Sequence, residues 1–147
     1  VPDLVADPAD CQGVLCDGEH GDLRVLDPGT GKARWRVRED VDLAVRAGYV
    51  LETDAASGEP VRLTDPATGA TRVDLTGWSG DVAGPVDEPL VLRRKDGHGQ
   101  AFAAVVPGHA EIHRLGVAAA GLGDCESDGR YLVCRSSGGL RIWSYRI

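Results

Sequence analysis

A period of roughly 40 residues runs through this chain, and it limits the possible folds more than any other feature. The triplet Val14-Leu15-Cys16 returns as Val50-Leu51-Glu52, Val91-Leu92-Arg93 and Leu132-Val133-Cys134, with spacings of 36, 41 and 41 residues at the third position. A second column ends at Leu26, Thr64, Val105 and Trp143, with spacings of 38, 41 and 38. A third column is a turn. Asp27-Pro28-Gly29-Thr30-Gly31-Lys32 recurs as Asp65-Pro66-Ala67-Thr68-Gly69-Ala70, and more weakly as Val106-Pro107-Gly108-His109-Ala110-Glu111.

Within each period, short apolar stretches alternate with Gly, Asp and Pro turns, which reads as strand rather than helix. The best helical stretch, residues 116–122, is short and bounded by glycines. In the third period the strand-sized segments are residues 82–86, 90–94, 101–106 and 111–115. Four short antiparallel strands per repeat of this length are the mark of a β-propeller blade. The expected fold is therefore all-β, with approximate blades at 1–38, 39–77, 78–116 and 117–147. At ~40 residues per blade the chain holds about 3.7 blades, a partial or half propeller whose last blade lacks its outer strand. The 20 Gly and 8 Pro are then turn residues, and 42% hydrophobic residues suffice for a core. Met is absent throughout, position 1 included, so the sequence reads as a piece of a larger protein.

The first turn and its flanks carry a resemblance. Leu23-Arg24-Val25-Leu26-Asp27-Pro28-Gly29-Thr30-Gly31-Lys32-Ala33-Arg34-Trp35 resembles the repeat of the pyrroloquinoline-quinone-like (PQQ-like) β-propellers. The motif positions are Asp27, Thr30, Gly31, Lys32 and Trp35. The second repeat keeps Asp65, Thr68 and Gly69 but has Ala70 for the Lys and Val73 for the Trp. The resemblance implies its non-enzymatic branch. Quinoprotein dehydrogenases of this family hold their quinone with calcium, adjacent cysteines and a Trp floor, and this chain has no Cys-Cys pair. A fragment of such an enzyme is the least favoured reading, and no cofactor is expected. The motif residues themselves have packing roles. Asp caps backbone N–H groups in the turn, Gly accepts positive φ, and Trp35 can lie between blades.

The four cysteines group as Cys11 with Cys16 and Cys125 with Cys134, in the first and last blades. Two within-blade disulfides are the economical pairing, and they place the protein outside the cytoplasm, secreted or at the cell surface. A zinc site is disfavoured because Cys-x4-Cys and Cys-x8-Cys lack a suitably spaced His. No metal is expected.

No catalytic residues stand out. The expected function is a secreted or surface-exposed bacterial scaffold that binds a protein or ligand through its loops. The alternative is an extracytoplasmic sensor or carbohydrate-binding domain. Loops at residues 19–22, 54–59, 95–100 and 136–139 all join second to third strands, and their candidate binding residues are Glu19, His20, Asp22, Asp54, Glu59 and His98. Arg24, Arg62 and Arg141 form a further repeating column. The expected partner is a protein, or the remaining blades supplied by a second copy or another polypeptide segment. Net charge −7 disfavours nucleic acid, where affinity comes from neutralising phosphates. No stretch is apolar for long enough to insert into a membrane.

Overall fold

The alternating segments form fifteen strands within residues 8–119 and 121–147, the part of the chain that the computed structural model describes. The opening of the first expected blade, residues 1–7, and position 120 lie outside the described residues. The first group comprises β1 (Cys11–Gln12), β2 (Cys16–Asp17), β3 (Arg24–Leu26) and β4 (Ala33–Arg36). The second comprises β5 (Val41–Arg46), β6 (Tyr49–Asp54), β7 (Pro60–Thr64) and β8 (Thr71–Asp74). Then follow β9 (Gly80–Asp81), β10 (Leu90–Asp96), β11 (Gly99–Val105) and β12 (His113–Ala118). The last group is β13 (Leu122–Ser127), β14 (Tyr131–Ser136) and β15 (Gly139–Ser144).

One sheet forms from each repeat, and consecutive strands pair antiparallel: β2-β3-β4, β5-β6-β7-β8, β9-β10-β11-β12 and β13-β14-β15. The exception is β1, which pairs parallel with β5 of the second sheet, Cys11 opposite Leu43 and Gln12 opposite Ala44. The first sheet therefore has three strands, where the repeat predicts four. The third repeat also departs from its expected strands. Residues 82–86 contribute only an isolated bridge from Ala83 to Glu126, the strand before them being the short β9. The fourth segment moves from 111–115 to His113–Ala118, absorbing part of the supposed helical stretch.

Strand pairing also corrects the triplet column. Asp17, not Cys16, lies opposite Arg24, and Leu92, not Arg93, lies opposite Ala103. Glu52 opposite Arg62 and Cys134 opposite Arg141 complete the column. Because side chains alternate between faces, that one-residue slip decides which residues share a face.

The described residues form two compact units. The first contains those up to Val45 together with Tyr49–Asp74, and the second contains Arg46–Gly48 with Leu75–Ile147. The first unit has a core of Leu23, Val25, Val37, Val41, Leu43 and Val50. The second is built on Val82, Val91, Phe102, Ala104, Leu122 and Leu132, with the last disulfide among them.

The disulfides join Cys11 to Cys16 and Cys125 to Cys134. Cys125 and Cys134 are directly opposed on β13 and β14 with Cα atoms 4.1 Å apart, the close spacing of a non-hydrogen-bonded antiparallel pair. Cys11–Cys16 instead links a strand of the second sheet to one of the first. Such bonds suit an oxidising compartment. The Cys125→Ser/Cys134→Ser double variant should lose about 2–3 kcal/mol, roughly 5–10 °C in Tm, because the bond closes a short loop in the unfolded chain. Calorimetry that shows an unchanged Tm would remove this bond from the stability of the second unit.

Turn chemistry sets the hairpins. Asp27 Oδ1 accepts hydrogen bonds from the Gly29 and Thr30 amides at 2.7 and 3.0 Å, while Arg34 pairs with Oδ2 at 2.7 Å. The Arg34 contact and those amides hold the Asp27 carboxyl below its ordinary range. Asp54 is held down likewise by the amides of Ser57 and Ala56 and the Ser57 hydroxyl, and Asp128 by those of Tyr131 and Arg130. Gly31 and Gly69 close the two related turns at φ +72° and +75°, a region that disfavours side chains.

Candidate functional site

Trp35 stands on β4 of the first sheet, on the face shared with Val25 and Cys16. Its indole N–H donates to the Pro66 carbonyl at 3.1 Å, and its ring lies over Gly69 in the second repeat's turn. The Trp of one repeat thus seats on the Asp-x-x-Thr-Gly turn of the next. Beside this contact opens a cleft of about 220 Å³, lined by Trp35, Arg36, Arg38, Glu52, Arg62 and Thr71 among others.

Charge in the cleft is unevenly compensated. Glu52 is 2% exposed and accepts from Arg62 Nε at 2.6 Å and from the Thr64 hydroxyl. Arg62 also lies 3.6 Å from Glu39. Hydrogen bonding to Glu52 raises the Arg62 pKa further above its ordinary value, so that guanidinium is a fixed charge. Arg36 pairs with Asp22 at the surface. Arg38 is exposed and has no ion-pair or hydrogen-bond partner among the described residues. An acidic chain therefore presents a cationic cleft with one uncommitted guanidinium.

The corresponding junction in the second unit is differently lined. Its cleft of about 160 Å³ is apolar, formed by Phe102, Leu115, Val117, Leu132, Trp143 and Tyr145 among others. Sheet packing alone thus produces a cleft, and the arginines are particular to the first one.

Half of the loop residues expected to bind are occupied within the chain. His20 Nε2 lies 2.9 Å from Asp42, Asp22 pairs with Arg36, and Asp54 caps its own turn. Glu19 and Glu59 are exposed in the first unit's loops, and His98 is exposed in the β10–β11 turn of the second unit. The arginine column does not form an array, because Arg24 pairs with Asp17 at 2.6 Å and Arg62 with Glu52. Sequence reasoning missed Arg36 and Arg38. The run Arg34-Trp35-Arg36-Val37-Arg38, cations alternating with apolar residues, was the available signal. No group of three His, Cys, Asp or Glu close enough to hold a metal ion occurs among the described residues.

Comparison with solved structures places the fold. The chain is similar to the computationally designed Ika4 protein, with a TM-score of 0.54 and 14% identity over 94% of this chain and 89% of that one. It is also similar to the Cps50 (Swd1) β-propeller domain of Myceliophteria thermophila, with a TM-score of 0.44 and 16% identity. That match covers 86% of this chain and 48% of the other. No protein-family model matches the sequence, and no curated protein matches it. The chain is all-β, with four successive, mostly antiparallel sheets, one per repeat.

Proposed function

We propose that this chain is a non-catalytic, extracytoplasmic binding scaffold of PQQ-like propeller repeats, and that its ligand carries a carboxylate seated in the Trp35–Arg38 cleft. One observation carries the ligand class: Arg38 has no partner among the described residues, beside Arg36 and the neutralised Glu52–Arg62 pair. A guanidinium takes a carboxylate in a bidentate fork, which a Lys cannot match. A space of about 220 Å³ suits one acidic side chain or one sugar acid rather than a drug-sized molecule. The two disulfides favour a secreted or surface location, and the Asp27–Trp35 motif favours the PQQ-like repeat class.

The test is isothermal titration with glucuronate, galacturonate and glutamate, with glucose as the neutral control. We expect saturable, salt-sensitive binding of at least one acid, weakened at least tenfold by Arg38→Ala, since a hydrogen bond to a charged group contributes about 1.5–3 kcal/mol. No binding of any acid, or binding that Arg38→Ala leaves unchanged, overturns the reading.

A further inference from the structure

The cleft of the second unit is distinguished by its aromatic lining. Seven aromatic residues occur in the whole chain, and three of them, Phe102, Trp143 and Tyr145, line this one space. Phe102 and Leu132 are each 4% exposed and form its floor. Leu115, Ala118, Trp143 and Tyr145 are half-buried against the same core and form its walls.

Two local features of β12 hold the cleft open. Gly116 lies directly opposite Phe102 on β11, so no side chain from that position covers the ring. A Cβ at Gly116 would meet nothing within 4 Å, and its φ of +146° favours glycine in any case. Beside it, Leu115 is the extra residue of a β-bulge. Phe102 pairs with Gly116 and Ala103 with Arg114, which leaves Leu115 opposite no residue. Such bulges re-aim side chains, and they are frequent next to functional sites. No charged side chain lines the space. Its hydroxyls are those of Ser144 and Tyr145, and the second is already bonded to Ser127 Oγ. Burial pushes the Tyr145 phenol above its ordinary range, with Asp128 and Glu88 adding to the rise, so this wall stays neutral.

We infer that this cleft is a ligand site that takes one neutral aromatic ring of the size of phenol. Volume sets the size. An apolar cavity of ~150 Å³ holds a single benzene ring, and this cleft measures about 160 Å³. Lining sets the chemistry. Aromatic walls receive another ring in offset or edge-to-face contact, which adds to what the buried area alone supplies. A charged ligand would lose its water with no counter-charge in the lining to replace it. A sugar would bring many hydroxyls to a cleft whose side chains offer two, one of them already bonded. The site lies wholly within the second unit and does not depend on the carboxylate reading of the first.

Nuclear magnetic resonance titration of the whole chain tests this, with phenol as the probe. Cyclohexanol serves as its saturated counterpart and benzoate as its charged one. We expect phenol to give a saturable shift of the Trp143 indole N–H signal, assigned by its loss in Trp143→Phe. Cyclohexanol should bind at least about threefold more weakly because it has no π-face, and benzoate should not saturate. Ala118→Leu fills the cleft from a half-buried position, so it should keep the wild-type circular dichroism and lose the phenol shift. Trp143→Leu keeps apolar bulk and removes one ring. It should weaken phenol binding at least about threefold, read on the Ala118 and Tyr145 amide signals. Three results overturn the inference: no saturable phenol shift in the natural chain, cyclohexanol or benzoate binding as tightly as phenol, or phenol binding undiminished in either variant.

Discussion

Glu52→Ala should lower the unfolding free energy by about 3–5 kcal/mol, the largest effect we expect from any single substitution in the first unit. The carboxylate is 2% exposed and is held by the Arg62 Nε at 2.6 Å and the Thr64 hydroxyl. Its removal leaves a mostly buried guanidinium whose remaining carboxylate partner, Glu39, lies at 3.6 Å. A buried pair contributes little relative to apolar residues of the same volume, but breaking it strands one charge. Glu52→Gln keeps the shape and some hydrogen bonding, so it should cost about 1–2 kcal/mol. Glu52→Leu with Arg62→Leu should fall near wild type, because neither charge is then left buried. Urea titrations of the three variants give the order directly. An alanine variant within about 0.5 kcal/mol of wild type, the range of ordinary surface changes, would show that this carboxylate is solvated.

The second large effect lies in the turn below Trp35. Gly69→Ala should cost about 2–4 kcal/mol, from two additive sources. The φ of +75° disfavours any L side chain, and an added Cβ would stand 2.7 Å from Trp35 Cδ2. Gly31→Ala separates these sources. Its φ is nearly the same at +72°, yet a Cβ there meets nothing within 4 Å. Gly31→Ala should therefore show only the backbone penalty, about 1–2 kcal/mol. In a Trp35→Val background, Gly69→Ala should fall to the Gly31→Ala value, because the ring it would strike is gone. Equal costs for the two alanine variants in the natural background would mean that the Trp35 ring does not rest on the turn.

The repeat period and its turn residues made the sheets legible from sequence, because strand alternation and Asp/Gly turn chemistry are local properties. The pairing of Cys125 with Cys134 was legible too, since both cysteines flank one hairpin. Other features depended on register or on distant residues. The triplet alignment assigned Cys16 to the column that Asp17 occupies, because three apolar-rich residues match almost equally well when shifted by one. The parallel pairing of Cys11 with Leu43 leaves no trace in a two-residue strand. The cleft was obscured because Arg36 and Arg38 belong to one segment and Glu52 and Arg62 to two others. Glu52 looked like a filler of a cysteine column, and only cross-strand pairing with Arg62 reveals its part.

The seating of Trp35 on Gly69 bears on how such a chain can be divided. A cut between the first two sheets would leave the ring on one piece and its receiving turn on the other. The self-contained module is therefore offset from the sheet: it begins within one repeat's last strand and ends at the following repeat's turn. Val73, the residue that replaces Trp in the second repeat, is itself buried and so cannot serve as an exposed anchor of the same kind. Duplication or grafting of one sheet would thus carry half of a fastening, and a transplanted repeat needs both Trp35 and the Asp65–Gly69 turn to keep its neighbour in place.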